Sequence, residues 1–283
     1  MKIILAKNIG FCAGIKRALS LTEESIKLKQ KPCQVLGSLL HNEEVAAKLQ
    51  KRGVKFIKSI KEVKNGILII SAHGPGKEDL SKINNKDLKI IDATCLLVKK
   101  AQNLAHYPWA KGHKVIIIGD KGHTEVESIQ GAINRKGIVI ENEEEAKKLK
   151  LDQKKLLAVV AQTTQNPARV ERILRALKKK YKKVDFYNTL CPTVLNRQKE
   201  TKEIAKKSDV MLVIGSKNSA NTKRLVEISK ELQKNTYQIE NASQLKEEWF
   251  SGIKKVGIVG GTSTPEWLIK DVIKKLKNLS RRK

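Results

Sequence analysis

Asn8-Ile9-Gly10-Phe11-Cys12-Ala13-Gly14-Ile15-Lys16-Arg17-Ala18 stands between an apolar run, Ile3-Ile4-Leu5-Ala6, and a stretch with helical spacing, Ile15, Ala18, Leu19, Thr22 and Ile26. The run reads as a buried strand and the spacing as a helix, so Cys12 falls at a strand-to-helix turn. Exposed N–H groups at a helix N-terminus favour the thiolate over the thiol. The flanking glycines let the backbone turn tightly and let a bulky group approach. A cysteine so placed is a candidate ligand or nucleophile; the plainer reading is a small core residue.

The arrangement recurs. Cys95 and Cys191 also follow a strand and open a helix, in Ile91-Asp92-Ala93-Thr94-Cys95 and Tyr187-Asn188-Thr189-Leu190-Cys191. In each unit the next strand ends at a glycine followed by polar residues. Cys12 to His41, Cys95 to His123 and Cys191 to Ser219 span 29, 28 and 28 residues, which makes His41, His123 and Ser219 equivalent. Glu43, Glu125 and Asn221 stand two positions further on. A later strand ends alike in each unit, at His73-Gly74, at Thr163-Thr164 and at Thr262-Ser263. Self-similarity of this kind marks a threefold internal repeat, with units of about ninety residues.

Strand and helix patterns alternate almost throughout. Strands are expected over 3–6, 34–36, 54–57, 67–71, 90–92, 115–118, 138–140, 156–161, 184–186, 210–214, 236–239 and 256–259. Helices are expected over 15–29, 43–52, 96–105, 167–180, 193–207, 222–234 and 265–279. This alternation predicts an α/β fold: three small α/β domains with mostly parallel sheets. Domain limits are expected at 1–94, 95–190 and 191–283, with residues 1–12 able to pair in either the first or the third. In parallel sheets ligands bind at the carboxyl ends of the strands. With pseudo-threefold symmetry around a central cavity, the nine polar tips would meet there. Cys33 has no counterpart in the repeat and reads as a packing residue at a strand start.

Composition narrows the function. Of 58 basic residues only ten are arginine, against 29 acidic residues, for a net charge of +29. Such a charge suits nucleic acid, but arginine is the usual base reader and aromatic residues are only 4% of the chain. The lysines are spread along nearly every helix, so they read as solvated faces, with no specific nucleic-acid partner expected. No apolar run reaches the about 20 residues of a membrane span, and Met1-Lys2-Ile3 leads into a strand without the features of a signal peptide. A cytoplasmic protein without a membrane partner is the expectation. There is no Cys-x-x-Cys pair, which excludes a zinc ribbon.

Three thiolates leave a four-ligand site with one open position. For a cubane iron–sulfur cluster, that leaves one iron free to take a substrate while the cluster supplies electrons. His41, His73 and His123 could instead form a tris-histidine zinc site. They could also donate hydrogen bonds to a phosphate or diphosphate alongside Thr163, Ser219, Asn221 and Ser263. Glu125 is the best general-acid candidate, with Glu43 as its symmetry mate; periodicity alone does not choose between them.

Taken together, Gly10-Phe11-Cys12-Ala13-Gly14, His41-Asn42, Ser71-Ala72-His73-Gly74, Asp92-Ala93-Thr94-Cys95, Gly122-His123-x-Glu125, Gln162-Thr163-Thr164, Leu190-Cys191 with Asn196-Arg197-Gln198, Gly215-Ser216-Lys217-Asn218-Ser219 and Ser263-Thr264-Pro265 resemble the 4-hydroxy-3-methylbut-2-enyl diphosphate reductases, the LytB or IspH family. The ordered set covers essentially the whole chain. The resemblance implies a [4Fe–4S] cluster on Cys12, Cys95 and Cys191, within a three-lobed fold around a central cavity. It implies a substrate diphosphate held by His41, His73 and His123 with Ser219, Asn221 and Ser263. Glu125, positioned with Thr163, would supply the proton that lets the substrate hydroxyl leave. Two electrons would then give isopentenyl or dimethylallyl diphosphate, in the last step of the methylerythritol phosphate route. The electron donor so implied is a small acidic ferredoxin or flavodoxin, which the basic surface would steer.

The chain departs from the family pattern at Leu96, often proline, at Ala220, commonly serine, and at Thr124, where the family has proline. Ala220 removes one hydroxyl from the diphosphate's surroundings. None of the three removes a ligand or the acid. Two rivals stay open at this point. A zinc hydrolase would use the histidines, and a nucleic-acid-binding protein would use the charge.

Overall fold

The computed structural model describes residues 1–28, 32–76, 80–83, 87–153 and 155–281. Along them run β1 (Lys2–Leu5), α1 (Ala13–Lys27), β2 (Cys33–Leu36), α2 (Glu43–Lys51), β3 (Val54–Ile57), β4 (Gly66–Ile70), β5 (Leu88–Asp92), α3 (Leu96–Ala110) and β6 (Lys114–Ile118). There follow α4 (Thr124–Gly131), β7 (Ile138–Ile140), α5 (Glu143–Lys148), β8 (Leu157–Ala161), α6 (Pro167–Lys180), β9 (Val184–Phe186), α7 (Pro192–Ala205), β10 (Val210–Ile214), α8 (Ala220–Leu232), β11 (Thr236–Ile239), β12 (Lys255–Gly260) and α9 (Glu266–Arg281).

The strands form three four-stranded sheets, β3-β2-β4-β5, β7-β6-β8-β9 and β11-β10-β12-β1. Every pairing in them is parallel. Read from one edge, all three share one order: the second strand of a repeat, its first, its third, then the strand that leads into a cysteine. In the last sheet this fourth place is filled by β1 from the start of the chain, in register from Lys2 opposite Lys255 to Leu5 opposite Ile258.

The interior strands explain why the sheets form. β4, β8 and β10 are buried along their whole length and read Gly-Ile-Leu-Ile-Ile, Leu-Ala-Val-Val-Ala and Val-Met-Leu-Val-Ile. A parallel sheet covered on both faces needs such continuous apolar runs, and β-branched side chains suit the pleat. Each fully buried Ile, Leu or Val contributes about 1.5–3 kcal/mol. The edge strands β5 and β9 carry Lys89, Asp92 and Asp185 and stay partly exposed, which discourages pairing with other chains.

By packing the chain divides into two compact units. One comprises Met1–Ile15, His41–Glu44 and Pro192–Lys283 and holds the sheet built on β10 and β12. The other comprises Lys16–Leu40 and Val45–Cys191 and holds the other two sheets.

All twelve expected strands are present within two residues of their expected limits. The helix expected over 15–29 starts earlier, at Ala13, and Lys29 lies outside the described residues. α3 continues to Ala110 past its expected end at 105, because Pro108 sits in the last turn, where the missing N–H costs a single bond. α4 and α5 were not among the expected helices. α4 buries Glu125, Ser128 and Gln130 beside Val126 and Ile129, so it shows no clean apolar stripe, and α5 has only six residues.

Candidate functional site

Cys12, Cys95 and Cys191 each immediately precede the first residue of a helix, Ala13, Leu96 and Pro192. All three are partly exposed and outside any disulfide, whereas Cys33 is buried and its pKa is pushed up by desolvation. One backbone bond repeats at all three. Cys12 N–H donates to Thr262 O (3.1 Å), Cys95 N–H to Ala72 O (3.0 Å) and Cys191 N–H to Thr163 O (2.9 Å). Thr262, Ala72 and Thr163 are each the second residue beyond the third strand of a repeat, β12, β4 and β8. Each cysteine is therefore tied by its own backbone to a strand end, with its thiol at a helix N-terminus. The last two loops share an Asx turn: Asp92 Oδ1 accepts from Thr94 N–H (2.9 Å) and Asn188 Oδ1 from Leu190 N–H (3.1 Å).

The second set of tips is equally regular. His41, His123 and Ser219 each stand five residues past the end of β2, β6 and β10. His123 caps α4, its Nδ1 accepting from Glu125 N–H at 3.1 Å, which places the ring proton on Nε2 as a donor. Ser219 caps α8, its Oγ accepting from Thr222 N–H at 3.3 Å. α2 begins one residue later than its mates, at Glu43, so His41 lies just outside the cap position. Burial, with Lys223 nearby, holds the His41 imidazole below its usual pKa and keeps it neutral.

Within the first unit, Ser263 Oγ–H donates to His41 O at 3.1 Å. Asn221 is 2% exposed, and neither its Oδ1 nor its Nδ2 has a hydrogen-bond partner. A buried amide without partners is costly, and this one stands in the first turn of α8, two residues past Ser219, where a polar ligand could satisfy it.

Within the second unit, the rings of His73 and His123 meet edge to face, with centroids 6.0 Å apart. Glu125, in the first turn of α4, is 2% exposed. Its Oε1 accepts from Thr163 N–H at 2.6 Å and its Oε2 from Thr163 Oγ–H at 3.0 Å. Burial pushes its pKa from 4.5 up to about 7, against the pull of the two Thr163 bonds and with a smaller push from Asp120. A carboxyl tuned to neutrality is suited to giving up a proton at working pH. Glu43 is exposed and opens α2 in the usual way of a first-turn acid.

Within neither unit do three or more His, Cys, Asp or Glu side chains among the described residues stand together as a group that could hold a metal. The donor chemistry nevertheless fits an iron–sulfur cluster. The three thiols are outside any disulfide, reachable, set at the starts of helices and equivalent in the repeat.

A family profile described as LytB protein matches residues 3–277. The chain belongs to the LytB protein family. Among LytB relatives, the 4-hydroxy-3-methylbut-2-enyl diphosphate reductase of Geobacter metallireducens is 39% identical over 283 residues, covering 100% of this chain and 99% of the relative. The enzyme of the same name from Campylobacter jejuni subsp. doylei is 41% identical over 280 residues, covering 98% and 99%. The solved E-1-hydroxy-2-methyl-but-2-enyl-4-diphosphate reductase of Plasmodium falciparum superposes with a TM-score of 0.92 at 30% identity, over 98% of this chain and 88% of that one. A second solved structure is that of (E)-4-hydroxy-3-methyl-but-2-enyl diphosphate reductase, the terminal enzyme of the non-mevalonate pathway. It superposes with a TM-score of 0.68 at 40% identity, over 98% and 99%.

Two kinds of site residue escaped the reading of the sequence. Thr189 Oγ accepts from Ala161 N–H (2.8 Å) and donates to Ala161 O (2.5 Å), fixing the loop before Cys191 to β8. Arg17 and Arg197 were visible in their motifs but carried no role. The Asx pattern, an Asp or Asn three residues before cysteine, was the signal that could have marked two of the three loops as built for rigidity.

Proposed function

We propose that the chain reduces (E)-4-hydroxy-3-methylbut-2-enyl diphosphate. One substrate, two electrons and two protons give isopentenyl or dimethylallyl diphosphate and one water: the C–O bond to the hydroxyl breaks and one C–H bond forms. Membership of the LytB family supports this reading. The observation that carries it for this chain is the single backbone bond repeated at Cys12, Cys95 and Cys191, which singles out those three thiols from Cys33.

In this reading Cys12, Cys95 and Cys191 hold the cofactor. Those three thiols would hold a [4Fe–4S] cluster, which would supply electrons one at a time and would leave one iron without a protein ligand. His123 donates from Nε2 to the diphosphate, as does neutral His41, and His73 adds a third imidazole donor. Ser219 adds a hydroxyl donor, Ser263 adds a second once its O–H turns from His41 O to the anion, and Asn221 turns its unpartnered amide to the same anion. Glu125 keeps a proton up to about pH 7 and releases it to the departing hydroxyl, while Thr163 fixes the direction of the carboxyl. Burial excludes water from that proton.

The net charge of +29 suits a small acidic one-electron carrier, of ferredoxin or flavodoxin type, as donor. Three working thiols call for a reducing compartment, and we place the enzyme in the cytoplasm. Among the described residues no helix is long and apolar enough to cross a membrane.

The deciding experiment is purification without oxygen, followed by iron and acid-labile sulfide analysis and turnover with a chemical reductant. About four of each per chain, a visible band that bleaches on reduction and formation of the two products are expected. Zinc alone, or a chain that takes up no iron on anaerobic reconstitution, would overturn the proposal.

A further inference from the structure

Two arginines reach across to carbonyls of cysteine loops other than their own. Arg197, on α7 and six residues after Cys191, is 4% exposed. It donates from Nη2 to Gly10 O at 2.6 Å and from Nη1 to Gly260 O at 2.7 Å. Gly10 lies two residues before Cys12, and Gly260 closes β12, two residues before the carbonyl that binds Cys12 N–H. One guanidinium thus pins the Cys12 loop to the strand end beside it. Arg17, on α1 and five residues after Cys12, repeats the device. It donates from Nη1 to Thr94 O at 3.2 Å and from Nη2 to Asp92 O at 3.3 Å, in the loop that delivers Cys95.

Two of the three cysteine loops are secured from the helix that follows a different cysteine. The helix after Cys191 secures the loop of Cys12, and the helix after Cys12 secures the loop of Cys95. The helix after Cys95 has Lys100 and Ala101 at the corresponding places, and the Cys191 loop is secured by its own Thr189 on Ala161 instead. Arginine suits the task because its planar fork presents two donors at once in a fixed geometry, which a lysine cannot do. The surface explanation, a helix arginine that happens to find a carbonyl, does not account for two clamps that each grip two carbonyls, five and six residues after a cysteine, one of them almost fully buried.

We propose that Arg197 and Arg17 are positioning residues that hold the Cys12 and Cys95 thiols, respectively, in the geometry needed to receive the iron–sulfur cluster. This rests on the proposed function for the identity of the bound group. The positioning itself can be read without that group.

The test follows each thiol separately in the full-length chain purified without oxygen. Iodoacetamide is added while a chelator withdraws iron, and alkylation of the four cysteines is timed by peptide mass mapping. Losing a clamp lowers the cost of opening that loop locally, so the exposed thiol reacts about tenfold faster. Arg197→Gln should speed Cys12 and leave Cys95 and Cys191 unchanged, although Arg197 is nearer in sequence to Cys191. Arg17→Gln should speed Cys95 and leave Cys12 unchanged, although Arg17 is nearer in sequence to Cys12. Arg197→Lys should fall between Arg197→Gln and the parent chain. Buried Cys33 reports general unfolding and should stay slow in all of them. If Arg197→Gln does not fold, partly exposed Arg17→Gln decides the question alone.

Equal acceleration of all thiols, acceleration of the cysteine on the same helix, or no change in Arg17→Gln would overturn the proposal. A parent chain that contains no iron would sink the cluster assignment, yet the alkylation map would still decide whether the arginines set the two loops.

Discussion

Thr163 holds both carboxyl oxygens of Glu125, its N–H on Oε1 and its hydroxyl on Oε2. The protonated acid can keep the first bond and reverse the second, because a hydroxyl both donates and accepts. Glutamine can do the same, so Glu125→Gln imitates the protonated side chain without its proton. Turnover with the cluster intact should fall about 100- to 10,000-fold, the usual range for loss of a general acid. In the parent enzyme kcat/KM should decline as pH rises through about 7, the pKa of Glu125, and the residual activity of Glu125→Gln should lack that limb. A pH–rate profile of both proteins checks this.

The same shift carries a stability consequence. Burial raises the folded pKa of Glu125 from 4.5 to about 7, so between those values the folded state binds the extra proton and the unfolded state does not. Stability should therefore fall as pH rises from about 4.5 to 7, and then level off. Glu125→Gln should flatten this slope. Denaturant midpoints at pH 5, 6, 7 and 8 test it; parallel curves for the two proteins would contradict it.

Thr163→Val removes the hydroxyl but leaves the backbone N–H on Oε1. The hydroxyl bond favours the ionised carboxylate, so its loss should move the alkaline limb of the pH–rate profile to higher pH. The valine is close in shape, and turnover at neutral pH should drop only about tenfold. A limb that moves to lower pH would mean that the hydroxyl bonds the protonated form.

Asn221 has two unpartnered polar atoms in a buried position. Asn221→Leu should stabilise the ligand-free protein by about 1 kcal/mol, because an unsatisfied buried amide is removed. The same change should raise KM for the diphosphate about 10- to 100-fold with a smaller effect on kcat. Thermal melts without substrate and steady-state kinetics give the two readouts. A loss of stability would show that the amide is structurally satisfied.

Gly74 follows His73 with φ +88°, and a Cβ there would lie 2.1 Å from Ser128 Oγ on α4. Gly74→Ala should destabilise by about 2 kcal/mol or more, through strain and through displacement of the helix that carries Glu125. Urea unfolding measures the first effect, and a parallel fall in kcat measures the second.

The strands were legible because apolar runs such as Ile67-Leu68-Ile69-Ile70 and Val210-Met211-Leu212-Val213-Ile214 allow little else. The threefold repeat was legible because each thiol is 28 or 29 residues from its next polar tip. The two short helices escaped. α4 spends its inner face on Glu125, Ser128 and Gln130, which serve contacts other than core packing, so the apolar period is lost. The partner of β1 could not be read, since a four-residue apolar run says that a strand is buried but not beside what. The arginine clamps and the orphaned amide of Asn221 lay beyond reach for another reason. They are relations between a side chain and a distant backbone, or the lack of one, and no spacing in the chain encodes them.

β1 completes a sheet whose other three strands lie at residues 210–260. During synthesis the loop of Cys12 therefore has no Arg197 clamp until residue 197 has been made and no sheet neighbour until β12, Lys255–Gly260, has followed. The other two sheets draw on contiguous sequence and can form as they emerge. Pairing across more than 250 residues is slow on the way to the native state, so Cys12 is the last thiol to reach its final setting. A C-terminal truncation that removes β12 would leave the opening of the chain without a place to fold.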